Sequence, residues 1–316
     1  MAKYRAHLPQ ISGDEIFLTD GGLETFLIFQ ENIDLPYFAA FDLMKNDAGR
    51  DMLRAYYRPF AEMAVDSGLG YVLESPTWRA SPDWGARLGY SDRATVAMNH
   101  EAIALMQELR RDFETPRTPM VISGCVGPRG DGYVADNAMT AEQAEHYHAP
   151  QIHAFRRADA DMVTAVTMNY VNEAIGIARA AAKADMPVVI SFTVETDGRL
   201  PTGQTLKDAI STVDLATGSA PTYYMINCAH PTHFDDIFDG DATWIQRIQG
   251  LRANASTMSH AELDNATELD DGDPRDLGQR YAELRRKQPQ LTVMGGCCGT
   301  DHRHVREICL ACMAVA

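Results

Sequence analysis

Short β-rich apolar runs alternate with longer stretches of helical period along the whole chain. This alternation limits the available folds more than any other feature. The runs are Ile16-Phe-Leu-Thr-Asp20, Tyr71-Val-Leu-Glu-Ser75, Met120-Val-Ile-Ser-Gly124 and Met162-Val-Thr-Ala-Val-Thr167. Pro187-Val-Val-Ile-Ser-Phe-Thr-Val194, Tyr223-Tyr-Met-Ile-Asn227, the weaker Trp244-Ile-Gln-Arg-Ile248 and Leu291-Thr-Val-Met294 complete the set. Helical candidates fall at 50–66, 92–113, 141–158, 171–184, 204–217, 275–287 and 301–314. Eight strands with crossovers between them suit an α/β fold in which a parallel sheet closes as a (β/α)8 TIM barrel. An open doubly wound sheet would carry a Gly-x-Gly-x-x-Gly turn after its first strand, and Asp20-Gly-Gly-Leu-Glu-Thr25 is not one. Residues 251–274, rich in Asn, Asp, Ser and Gly, read as an extended loop after strand seven. A single domain over 1–316 is expected.

A barrel of this kind carries its site at the carboxyl ends of the strands. Those ends hold Asp20, Glu74, Ser75, Cys125, Thr167, Glu195, Asn227 and Cys228, with Cys297 and Cys298 after the last. The ends of strands six and eight thus bring three cysteines to one rim. Zinc takes thiolate ligands and keeps one position open in catalytic sites. A thiol substrate in that position would be deprotonated, although a free thiol has a pKa of about 8.5. Spacing alone leaves the plainer reading open, since free cysteine is among the most buried residue types.

The other cysteines and histidines have ordinary explanations. Cys309 and Cys312 lie on an apolar helix and read as core, and Cys125 reads as a packed small residue. His230 and His233 follow Cys228 in a loop, where surface positions are commoner than metal ligation. Six cysteines in a chain of 316 residues do not form a disulfide framework.

Met294-Gly-Gly-Cys-Cys-Gly-Thr300 and Ile226-Asn-Cys-Ala-His230 resemble the two cysteine motifs of the homocysteine S-methyltransferase family. Asp20-Gly-Gly-Leu-Glu-Thr25, Glu74-Ser-Pro-Thr-Trp-Arg79, Gly124-Cys-Val-Gly-Pro128, Ser191-Phe-Thr-Val-Glu195 and Gly250-Leu-Arg-Ala-Asn-Ala-Ser256 fit as well, over about residues 16–310. The resemblance implies a zinc enzyme that methylates the sulfur of homocysteine to give methionine. It carries over Cys228, Cys297 and Cys298 as zinc ligands and catalytic residues. Asp20, Gly21, Glu74, Ser75, Thr77 and Asn227 are implied around the acceptor. One departure is that strand four ends Ala165-Val-Thr-Met-Asn169, without the acid the family commonly places there. Glu74 or Glu195 is the candidate replacement.

The chain leaves no room for a further folate or cobalamin domain, so a diffusing donor is expected. S-methylmethionine, S-adenosylmethionine or a betaine-type onium would serve. Trp78, Trp84 and Tyr133 could cage a quaternary ammonium, while Arg129 or Arg252 could pair a substrate carboxylate. The alternatives are a demethylase that passes methyl to a thiol, and a zinc- or thiol-binding protein without turnover.

The formal charge of −16 argues against nucleic acid and anionic membranes as partners. The polar start Met1-Ala-Lys-Tyr-Arg-Ala-His7 lacks the apolar core of a signal peptide, so a cytoplasmic protein is expected. A homo-oligomer is compatible with all of this.

Overall fold

Valine, isoleucine and tyrosine suit pleated strands buried on both faces, and here such runs form the staves of a closed barrel. The computed structural model describes residues 2–136, 138–240 and 242–315. The strands are β1 Phe17–Leu18, β2 Gly70–Glu74, β3 Met120–Val126 and β4 Met162–Met168, followed by β5 Val188–Phe192, β6 Pro221–Asn227, β7 Ile248–Ala253 and β8 Val293–Gly296. Each pairs in parallel with the next, and β1 closes the ring against β8. This is the (β/α)8 barrel that the alternation predicts.

The main crossover helices are Asp47–Ser67, Asp92–Phe113, Ala141–Arg157, Val171–Lys183, Leu206–Thr217 and Pro274–Lys287, with His302–Met313 last. Except for Val171–Lys183, their starts carry side-chain caps that satisfy otherwise free N–H groups. Asn46 accepts from the Gly49 amide, and Thr140 and Gln143 form a reciprocal capping box. No helix among the described residues is long and apolar enough to cross a membrane.

Strand alternation divides the barrel interior into two levels. Phe17, Val72, Val121, Met162, Val189, Tyr223, Met225 and Val293 form an apolar plug with Leu8 at the amino-terminal end. Two residues further along β2, β3, β4 and β5, the inward positions become Glu74, Ser123, Thr164 and Ser191, all buried. The lower half of the barrel is therefore packed hydrocarbon, and the upper half is polar.

Strand seven differs from the sequence expectation. Ile245–Arg247 is a 3-10 turn, and β7 begins at Ile248, where the expected strand ended. The true strand contains Gly250 and Arg252, which interrupt the apolar run that marks its neighbours. The expected 251–274 loop accordingly loses its first three residues to β7, and it also contains a short helix, His260–Asp264.

Candidate active site

The mouth of the barrel holds a cavity of about 180 Å³. Two of its lining residues, Thr167 and Cys228, have left-handed backbones, with φ of 61° and 53°. Such conformations cost about 1–3 kcal/mol and persist only where the surroundings enforce them. Asn227 provides much of that enforcement. Its Oδ1 accepts from the Thr167 amide at 2.9 Å and the Ser191 hydroxyl at 2.6 Å, while its Nδ2 donates to Thr167 Oγ1 at 3.0 Å. The Cys228 amide donates to the Arg252 carbonyl at 3.1 Å, which ties β6 to β7.

The second cysteine segment is placed by close backbone packing. The Cys297 amide donates to the Ala253 carbonyl at 2.8 Å, and Gly22 runs directly beneath the Cys297 carbonyl. A Cβ on Gly22 would collide with that oxygen, so the glycine pair after β1 is a packing requirement of the Cys297-Cys298 turn.

Cys228, Cys297 and Cys298 converge there, with their sulfurs all within 4.8 Å of one another. Among the described residues they are the one group of three or more His, Cys, Asp or Glu side chains able to hold a metal ion. Cys228 and Cys297 have Cα atoms 5.3 Å apart and are paired as a disulfide, while Cys298 is free. One bridge between ligand cysteines is not a framework, but it is a pairing that cysteine counting did not anticipate. The Tyr133 hydroxyl lies 3.6 Å from Cys298 Sγ, and its ring stacks on His260 at 4.0 Å between centroids. His260 Nε2 in turn contacts the Cys228 carbonyl at 2.6 Å.

The electrostatics of the cavity are acidic. Asp20, Glu24, Glu74, Asp131 and Asp264 line it, against Arg79 and Arg252. Asp20 is matched: Arg252 Nη2 donates to Oδ1 at 2.7 Å, and the Tyr56 hydroxyl donates to Oδ2 at 3.2 Å. Burial raises the Asp20 pKa, and Arg252 opposes the rise. Burial also pushes Glu24 and Glu74 up to about 7 each. Arg79 is committed elsewhere, with its guanidinium 3.9 Å from both the Trp78 and Trp84 ring centroids and donating to the Gly130 carbonyl at 2.8 Å.

Of the residues expected around an acceptor, Asp20, Gly21, Glu74, Ser75 and Asn227 do line the cavity. Thr77 and Glu195 do not. Thr77 is fully buried behind the wall, donating to the Cys125 carbonyl at 2.7 Å and bonded to the Ser75 hydroxyl at the same distance. Glu195 lies beyond the end of β5 because that strand stops at Phe192, and His260 Nδ1 holds it at 3.1 Å. It cannot stand in for the missing acid of strand four.

The aromatic cage is not assembled either. Trp78 and Tyr133 reach the cavity, but Trp84 does not, and Arg79 already occupies the space between the two tryptophans. Arg129 is bound to Asp83 at 2.7 Å, outside the cavity. His230 is buried rather than exposed, and Thr232 Oγ1 lies 2.8 Å from its Nδ1. His233 meets the Thr257 carbonyl at 2.9 Å. Cys309 and Cys312 pack in the core, as their apolar helix predicts. Cys125 is buried but also lines the cavity, outside the group of three sulfurs. Arg252 was taken for a rim-loop residue. Strand alternation from Gly250 would have marked it as inward-facing, had β7 been placed correctly.

A sequence model described as homocysteine S-methyltransferase matches residues 17–312. The homocysteine S-methyltransferase of Escherichia coli strain K12 is 24% identical over 307 residues, covering 90% of this chain and 92% of that one. Among solved structures, the oxidized form of the E. coli homocysteine methyltransferase MmuM superposes with a TM-score of 0.70 at 18% identity, covering 94% of this chain and 96% of that one. Its metallated form gives 0.69 at 19% identity, covering 96% of each. At such identities these two structures speak to the fold. The family match over nearly the whole chain carries the classification: this chain belongs to the homocysteine S-methyltransferase family and is an S-methyltransferase enzyme.

Proposed function

We propose that this chain, as one catalytic domain over residues 1–316, moves a methyl group from a small onium donor to the thiol of homocysteine or a close relative. Zinc is the proposed cofactor, held by Cys228, Cys297 and Cys298. The observation that carries this reading is the convergence of those three sulfurs, within 4.8 Å of one another, in an acidic cavity at the barrel mouth. Three thiol ligands with no fourth His, Cys, Asp or Glu in the group, among the described residues, fit a catalytic zinc that leaves one position for substrate. When bound, zinc supplies a low thiol pKa, so that the acceptor sulfur is a thiolate at neutral pH. Cys228 and Cys297 have to be in the reduced state for this role.

The chain's own residues orient the two substrates. Asn227, fixed by Thr167 and Ser191, stands next to Cys228 and holds the cavity wall in place. Asp20, Gly21, Glu74 and Ser75 face the acceptor from β1 and β2. The excess of carboxylates over guanidiniums favours a cationic donor. The acceptor's thiol proton leaves to solvent on binding. In the transfer, a sulfur lone pair of the acceptor forms the new S–CH3 bond while the donor's C–S bond breaks, and that electron pair remains on a donor sulfur that departs as a neutral thioether. No general acid is required.

A sulfonium is favoured over a betaine because the aromatic surfaces near the mouth are already used by Arg79. The test is zinc content and methionine formation from homocysteine with each donor, using protein purified under reducing conditions, beside Cys298→Ala. One zinc per chain and methionine from S-methylmethionine, both lost in the variant, would support the reading. Wild-type protein that stays metal-free after anaerobic reconstitution would sink it.

A further inference from the structure

The stretch after β7 links one side chain to two of the three site cysteines. A five-residue helix, His260–Asp264, begins there behind Ser259, which forms a reciprocal capping box with Glu262. That cap fixes the start of the helix and with it His260, which is 6% exposed. The His260 ring is held on both edges and on one face. Nδ1 lies 3.1 Å from Glu195 Oε1. Nε2 lies 2.6 Å from the Cys228 carbonyl, and since a carbonyl only accepts, Nε2 is the donor. One face stacks on Tyr133, with centroids 4.0 Å apart and planes 16° from parallel.

Two of these contacts bear on different cysteines. Cys228 has a left-handed backbone, φ 53°, which a residue with a side chain adopts only under constraint. Its amide is tied to the Arg252 carbonyl at 3.1 Å, and His260 ties its own carbonyl. With both flanking peptide groups fixed, the Cα–Cβ bond has one direction, and the sulfur keeps only rotation about that bond. Thr193 Oγ1 reaches the same carbonyl at 3.5 Å, too long to substitute for the imidazole. On the other face, the Tyr133 hydroxyl lies 3.6 Å from Cys298 Sγ. Asn169 Nδ2 holds the Asp131 and Gly132 carbonyls, and Asp131 Oδ1 accepts from the Tyr133 amide. Those bonds place the loop, and the stack on His260 orients the phenol.

We infer that His260 is a positioning residue for the metal centre, fixing Cys228 through its carbonyl and Cys298 through Tyr133 before any ion or substrate arrives. The inference rests on the reading that Cys228, Cys297 and Cys298 hold a metal. Glu195, on the far edge of the ring, keeps the imidazole from turning away from Cys228. A ligand set ordered in advance loses less freedom when an ion binds, and outer partners of this kind contribute about 10–100-fold to metal affinity.

The experiment separates the two contacts. Reduced, anaerobic protein is loaded with zinc for chelator competition and with cobalt(II), whose visible spectrum reports ligand geometry. Wild type is compared with His260→Ala, His260→Phe, His260→Gln and His233→Ala, with far-ultraviolet circular dichroism as the check on folding. Phenylalanine keeps a ring against Tyr133 but cannot donate to Cys228, whereas glutamine can donate but cannot stack. His233 ties the same stretch from outside, through the Thr257 carbonyl at 2.9 Å, so its loss reports loosening of the stretch alone. The expected result for His260→Ala is zinc held about 10–100-fold less tightly, with an altered cobalt spectrum. The phenylalanine and glutamine variants should each recover part of both, and His233→Ala should match wild type. Wild-type affinity and spectrum in His260→Ala, full recovery by either replacement, or an equal loss in His233→Ala would overturn the assignment. Should His260→Ala fail to fold, the other two variants decide: altered spectra in both support the inference, and wild-type spectra in both overturn it. If wild type takes up neither zinc nor cobalt, the metal reading itself is wrong and the inference falls with it. Metal bound as tightly without His260 removes only the role of His260.

Discussion

Arg252 on β7 and Asp20 after β1 meet at 2.7 Å inside the barrel mouth, with side-chain exposures of 10% and 4%. The same guanidinium donates to the Gly296 carbonyl at 3.1 Å and the Gly21 carbonyl at 3.2 Å. One side chain therefore fastens three strand ends around the segment that carries Cys297. Removing one partner of a buried pair leaves the other charge stranded, at a cost of about 3–5 kcal/mol. Arg252→Met should lose stability of that order in urea unfolding and bind zinc more weakly. The double variant Arg252→Met/Asp20→Asn should recover part of the stability, since it strands no charge.

Glu74 should make stability depend on pH in an unusual direction. Burial raises its pKa from 4.5 to about 7 in the folded protein. Between those values the folded state keeps a proton that the unfolded chain has lost, so stability falls as pH rises through the window. Above pH 7 the full penalty is present, at most about 3 kcal/mol from the size of the shift. Glu74→Gln should therefore match wild type near pH 4.5 and exceed it at pH 8, when both are unfolded in urea without ligand. Equal stability at both pH values would show that Arg252 or solvent neutralises the carboxylate in the free enzyme.

The contact from Tyr133 to Cys298 should tune metal binding. A hydroxyl near a ligand sulfur stabilises its thiolate, and outer partners of this kind typically contribute about 10–100-fold to metal affinity. Tyr133→Phe keeps the ring on His260 and loses only the hydroxyl. Chelator competition should show zinc held about tenfold less tightly, at the low end of that range because a tyrosine–sulfur bond is weak.

Oxidation and metal loading should exclude each other. Cys228 and Cys297 are close enough to pair, and a paired sulfur is not a thiolate ligand. Oxidant added to zinc-free protein should block zinc uptake, and dithiothreitol should restore it. Cys309→Ala and Cys312→Ala should leave that cycle unchanged, because both residues pack on the last helix away from the mouth. A cycle that survives Cys228→Ala would assign the redox chemistry to another pair.

The barrel and its cysteines could be read from residue pattern because both signals are local. Apolar runs mark seven strands, and Cys228 and the Cys297-Cys298 pair stand directly at the ends of two of them. Strand seven was misplaced for a physical reason. The upper interior of the barrel is polar, so a strand crossing it carries Arg252 inward and loses the hydrophobic signature of its neighbours. Glu195 and Thr77 fall outside the cavity lining because sequence gives proximity to a strand end but not side-chain direction. Glu195 turns to His260, and Thr77 turns behind the wall to the Cys125 carbonyl. The stacking of Tyr133 on His260 joins loops 127 positions apart, and no local pattern announces it.

The apolar plug of Phe17, Val72, Val121, Met162, Val189, Tyr223 and Val293 makes the barrel a cup with a single opening. Everything that enters must leave by the same door. On the proposed reading, acceptor and donor would share that one entrance, so the hydrocarbon at the bottom of the barrel would bear on the kinetics of a two-substrate reaction as well as on stability.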